Sequence, residues 1–222
     1  MSGPADALRD NDGRLADFAR DITAAQWAEP SLCIEWTNHD VLAHLVVGYG
    51  AAAGDVVAAM TRQRGSFDAA NAQLARDLAA RRHPAQLIAD LEELARRPRG
   101  IGRVFPKRLL LGDHVIHELD IAFALGKEST VPLSTVTTVL DTQVRVPNPF
   151  VPAAARARGL NLYATDVRWS HSAGGPTVTG RAAHIASVLA GRSRALRYLS
   201  GDGVDLLSAR INATPYGQSY PP

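Results

Sequence analysis

From residue 5 to roughly residue 146, apolar side chains recur at intervals of three and four, the spacing that lines one face of a helix. That rhythm stops at Pro147-Asn-Pro-Phe-Val-Pro152, a proline-rich linker, and beyond it apolar and polar residues alternate instead. The change of period predicts a mainly α chain. An antiparallel four-helix bundle over residues 1–147 is followed by a small α/β domain over residues 148–222.

Capping and breaking residues divide the helical part. A first helix is expected over residues 5–21, with a short turn over 22–27 opened by Thr23. A second starts after Thr37 or Asn38, either suited to the N-cap, and runs to about residue 63. The third region, 67–97, breaks at His83-Pro84, because a residue before proline is pushed out of helical geometry. A fourth opens near Pro106 and stops at Gly126, and another spans 134–146. In the tail, 160–164, 167–170 and 177–179 read as strands, and 181–190 and 204–211 as helices.

Composition removes several function classes. The apolar stretch 41–60 is interrupted by His44, Asp55 and three glycines, so it lacks the roughly 20 apolar residues a bilayer requires. The opening MSGPADALRDNDG has neither the cationic start nor the apolar core of a signal peptide, so a cytoplasmic location is expected. Arg96 to Arg108 is a basic loop, but the net charge is only +2 and no aromatic platform is interleaved, which argues against nucleic acid. The glycines at 48, 50 and 54 have the wrong spacing for a dinucleotide fingerprint. The chain has one cysteine, Cys33, so a metal is expected to rely on nitrogen and oxygen ligands.

Two segments carry chemistry. Trp36-Thr-Asn-His-Asp-Val-Leu-Ala-His44 places His44 on the apolar side of the second helix. About seventy residues later, Asp113-His-Val-Ile-His117 puts Asp113 and His117 one turn apart on one helix face, among Leu109, Leu110, Ile116 and Ile121. Titratable groups in an apolar stripe are costly unless paired, and a cation shared by the three removes the cost. Two imidazoles and a carboxylate leave a fourth position open, as in catalytic zinc sites. Each residue alone also fits a hydrogen-bonded core group. Asp120, a turn further on, is placed to accept from the unbound nitrogen of a ligating histidine. His114, rotated by about 100°, points toward the stripe's edge, as a general base, a substitute ligand or a solvated histidine.

The segments LCIEWTNHDVLAHL and GDHVIHELDIAFALG, with the tail GLNLYATDVRWSHSAGGPTVTGRAAHIASVLAGR, resemble the mycothiol-dependent maleylpyruvate isomerase family of actinobacteria, within the DinB-like superfamily. The resemblance implies a DinB-like bundle whose divalent metal, usually zinc, is held by one histidine and a Glu-x-x-x-His pair, with mycothiol as thiol cosubstrate. It assigns the metal to His44, Asp113 and His117. Asp113 departs from the family's glutamate by one methylene. It also implies a catalytic arginine in the second domain, which falls on Arg192, with Arg181 competing.

A thiol beside such a metal is deprotonated near neutral pH. Its addition to an electrophilic double bond, rotation and elimination amount to isomerisation, and addition alone to S-transfer. The expected partners are a small thiol and a small electrophile, with or without a carboxylate, and the chain is expected to be a monomer or homodimer. Two other classes fit the same residues: a hydrolase using metal-activated water, and a non-catalytic binding or stress protein in which Asp113 has spoiled the site.

Overall fold

In the computed structural model, which describes residues 3–148 and 150–213, side-chain caps from Thr23, Thr37 and Ser66 mark where three helices of the first unit begin. Helix α1 (Pro4–Arg20) starts on a proline, and α2 (Ala24–Ala28) on a capping box between Thr23 and Gln26. The box that opens α3 (Asn38–Gly50) is formed by Thr37 and Asp40. The Asp40 amide donates to Thr37 Oγ1 at 3.1 Å and the Thr37 amide to Asp40 Oδ2 at 2.9 Å. It fixes the register that carries His44 inward. Helices α4 (Ala53–Arg62), α5 (Phe67–Ala79), α6 (Pro84–Arg96) and α7 (Lys107–Ala124) complete the unit.

Helices α1, α3, α6 and α7 pack as the bundle, around fully buried Leu15, Leu42, Leu45, Leu87, Leu91, Leu111 and Leu119. Helix α5 lies against α3 and presents buried Ala70, Ala72 and Ala75, whose small side chains permit a close approach. Polar pairs also cross the interior. Arg14 on α1 bonds both carboxylate oxygens of fully buried Glu118 on α7, and Thr130 Oγ1 donates to Glu118 at 3.0 Å.

The sequence carries the second helix unbroken to about residue 63, but the structure interrupts it at Ala51-Ala52. The cause lies far along the chain. The Arg99 and Ile101 amides donate to the carbonyls of Tyr49 and Ala51 at 3.1 and 3.2 Å, so the basic loop takes over acceptors at the end of α3. Gly100, at φ +50°, comes so close that a Cβ there would stand 1.8 Å from the Ala51 carbonyl oxygen. A Cβ on Gly102 would stand 2.7 Å from that of Tyr49. The loop therefore has a packing role that its charge does not announce.

The second unit begins at Val131, earlier than the division after Pro147 expected from the sequence. Helix α8 (Leu133–Arg145) packs on α10 (Ala182–Leu189), with Gln143 Nε2 donating to the Ala186 carbonyl at 3.0 Å, and so belongs to this unit. Pro149 of the expected linker lies outside the described residues. A short helix, α9 (Ala153–Ala157), precedes the sheet. Strand β1 (Asn161–Ala164) pairs antiparallel with β2 (Ser170–His171) and parallel with β3 (Thr177–Gly180), in the order β2-β1-β3. The strand expected at 167–170 is reduced to this two-residue β2, because a tight turn bonds the Trp169 amide to the Val167 carbonyl at 2.8 Å. Helix α11 (Val204–Asn212) packs on α9. No helix among the described residues is long and apolar enough to cross a membrane.

Gly100→Ala is expected to lower stability by about 2 kcal/mol or more, because it combines left-handed strain with a backbone collision. A urea midpoint unchanged from the parent would refute that role for the loop.

Candidate metal centre

Helix α7 sets the site. Its positions 113 and 117 share a face, and α3 delivers His44 opposite them. His44 Nε2 lies 3.2 Å from Asp113 Oδ2, and His117 Nε2 lies 3.6 Å from Asp113 Oδ1. One ligand atom from each of the three falls within 4.8 Å of the others. The two imidazoles meet edge to face, with centroids 4.5 Å apart.

The remaining ring nitrogens have partners of their own. His117 Nδ1 sits 3.0 Å from Asp120 Oδ2, and His44 Nδ1 lies 3.1 and 3.3 Å from the two amide atoms of Asn71 on α5. Partners on both Nδ1 atoms turn both Nε2 atoms toward Asp113. Trp36 covers the rings, its centroid 5.1 Å from that of His44 and 5.9 Å, nearly parallel, from that of His117.

Charge distribution suits ligation. Burial opposes ionisation of Asp113, yet His44 and His117 beside it outweigh burial and hold the carboxyl well below its ordinary range. His117 is pressed below the ordinary imidazole value by burial and by His44, against the pull of Asp113 and Asp120. Asp113 is drawn toward the carboxylate and His117 toward the neutral imidazole, the directions that ligation favours. The histidine side chains are only 9% exposed while that of Asp113 is 36% exposed, so access is from the carboxylate side. A donor set of two nitrogens and a carboxylate fits a divalent first-row cation.

The other residues singled out in the sequence lie elsewhere. His114 does not reach the stripe's edge. It is wholly buried, with Nδ1 2.6 Å from Asp12 Oδ1 and its ring edge-on to Tyr49, whose hydroxyl also bonds Asp12. Burial opposes protonation of His114, but the Asp12 carboxylate outweighs it and raises the imidazole above its usual value. The group works as a buried tie between α1, α3 and α7, which leaves no room for a solvated histidine there.

Arg192 belongs to the second unit. It precedes a 3-10 turn over Ser193–Tyr198, and its Nη1 donates to the Ala190 carbonyl at 3.0 Å. Buried Arg156, bonded to the Leu189 carbonyl at 2.9 Å, is lowered to about 10 by burial and by Arg192. Arg181 pairs with Asp166 at 3.4 Å. Sequence reasoning passed over Asn71 and the wall formed by Trp36. Asn71 carries no motif, and only the apposition of α5 and α3 reveals it.

A helical bundle with a candidate mononuclear cation centre, joined to a small α/β unit, defines the class. Residues 8–106 match the family model described as the mycothiol maleylpyruvate isomerase N-terminal domain. The match includes His44, Trp36 and Asn71 and ends before Asp113. Two solved structures share the fold: a mycothiol-dependent maleylpyruvate isomerase and a histidine-to-alanine mutant of it. Each is 17% identical, with a TM-score of 0.55 over 90% of this chain and 91% of the other. No curated protein matches the chain.

His44→Ala is expected to abolish retention of zinc while leaving helical content unchanged. Asn71→Ala, which frees the His44 ring, should weaken zinc binding about 10- to 100-fold. Zinc titration of the metal-free chain checks both, and equal affinity in parent and Asn71→Ala would show that the amide does not position the ring.

Proposed function

We propose that the protein is a divalent-cation-dependent, thiol-dependent isomerase or S-transferase that uses mycothiol and acts on a small electrophile. One observation carries the reading: His44, Asp113 and His117 bring ligand atoms within 4.8 Å of one another, with both imidazoles buried and the carboxylate partly exposed. The N-terminal domain family supports it.

Zinc is the cation we assign, and when bound it supplies the Lewis acidity that lowers the pKa of a thiol. The protein's own groups do the rest. His44 and His117 offer neutral nitrogens, and Asp113 offers one negative charge, so the set keeps a net positive charge for a thiolate to neutralise. Asp120 and Asn71 hold the rings in place, and Trp36 shields their faces from water. To Arg192 we assign reception of a substrate carboxylate, on family resemblance. A cytoplasmic setting keeps thiol cosubstrates reduced and suits this chemistry.

Incubation of the zinc-loaded chain with mycothiol and a panel of maleyl-type and haloaromatic electrophiles should give isomerised or S-conjugated product. Product is expected to vanish in His44→Ala and to fall at least 10-fold in Arg192→Ala with carboxylate-bearing substrates. Turnover of ester or amide substrates without any thiol would replace this reading with a hydrolase. An inert chain that holds no zinc would leave a binding protein. Asp113→Glu, which restores the longer arm, should retain zinc and activity if the site tolerates both lengths.

A further inference from the structure

Cys33 lies in a loop that the structure holds against α7. A bridge between Pro30 and Thr37 closes the loop, and the Trp36 amide donates to the Cys33 carbonyl at 3.2 Å. The Ser31 hydroxyl lies 3.1 Å from both the Cys33 amide and its carbonyl. The Leu32 amide donates to the Asp120 carbonyl at 3.3 Å, which ties the residue before Cys33 to the turn of α7 that carries Asp120. A ligand atom of Cys33, one of His117 and one of Asp120 thereby gather within 4.8 Å of one another. Cys33 is half-buried, whereas His117 and Asp120 are buried.

We propose that Cys33, His117 and Asp120 form a second cation site, selective for thiophilic ions, which excludes the first site by taking over His117.

Three features support this. The first is charge. A thiolate and a carboxylate neutralise a divalent cation fully, whereas His44, Asp113 and His117 leave one positive charge. The second is softness, since sulfur favours cations such as cadmium over harder ions. The third is the shared imidazole. Asp120 sits on the Nδ1 edge of His117 and Asp113 on the Nε2 edge, so the carboxylates of the two sets approach the same ring from opposite edges.

A neutral imidazole has one lone pair. When a cation occupies Nδ1, the proton it displaces is carried on Nε2, which then donates and cannot ligate. The Cys33 thiol releases its own proton to solvent as sulfur binds. A thiophilic ion therefore disarms the first site without touching His44 or Asp113. The cysteine count set sulfur aside as a ligand, and only the folding of the 30–37 loop onto α7 brings it into play.

The chain contains a single cysteine, so an ultraviolet sulfur-to-cadmium charge-transfer band can arise from Cys33 alone. Cadmium added to the zinc-loaded full chain is expected to raise this band to saturation at one ion per chain, with zinc released in step. Cys33→Ser should show no band, and at least 10-fold more cadmium should be needed to displace its zinc. Asp120→Asn should shift the midpoint of the band upward at least 10-fold. A band indifferent to Asp120 would mean a lone thiolate and overturn the site. Zinc displaced as readily from Cys33→Ser as from the parent would overturn the exclusion. The exclusion rests on zinc binding at the first set and the band does not: a chain that takes up no zinc fails the proposed function, while cadmium still decides the second site.

Discussion

Helix α7 is buried along most of its length and still carries five ionisable side chains between positions 113 and 120. Burying such groups is costly unless each is paired, and the architecture of the first unit answers that demand one residue at a time. Asp12 and Tyr49 meet His114, Arg14 and Thr130 meet Glu118, and Asp120 meets His117. The bundle is organised around a polar spine as much as around its leucines.

Asp113 differs from the rest of the spine. Its neighbours are two imidazoles, His44 across the bundle and His117 one turn along α7, the latter drawn toward the neutral form, and its side chain remains partly open to solvent. A cation at the candidate centre would serve both rings and the carboxylate together, as a single proton would not. The structural ties and the candidate centre thus share one helix. Substitutions at His114 or Glu118 are expected to report on folding, and those at Asp113 or His117 to test the candidate centre.

Most of the helical plan was legible in the sequence, because its causes are local. Thr37 with Asp40, Pro84 at the start of α6 and Gly126 past the end of α7 each act within one turn. The break at Ala51-Ala52 was not legible, since Gly100 and Gly102 impose it from about fifty residues away. The same holds for the site. Spacing on one helix puts Asp113 beside His117, and an apolar face suggests His44. Asn71, Asp12 and Cys33 take their places only through packing between distant segments. Helix α8 has the period of the bundle helices and was grouped with them, although its partner is α10. Periodicity reports that a helix has a buried face without saying what covers it.

The indole of Trp36 lies against both histidine rings of the centre. An aromatic face so near two groups that gain or lose positive charge feels each such change electrostatically. The molecule therefore contains its own optical gauge, in which the emission of one indole, separable from Trp27 and Trp169 by substitution, reports the charge state of the pocket it lines.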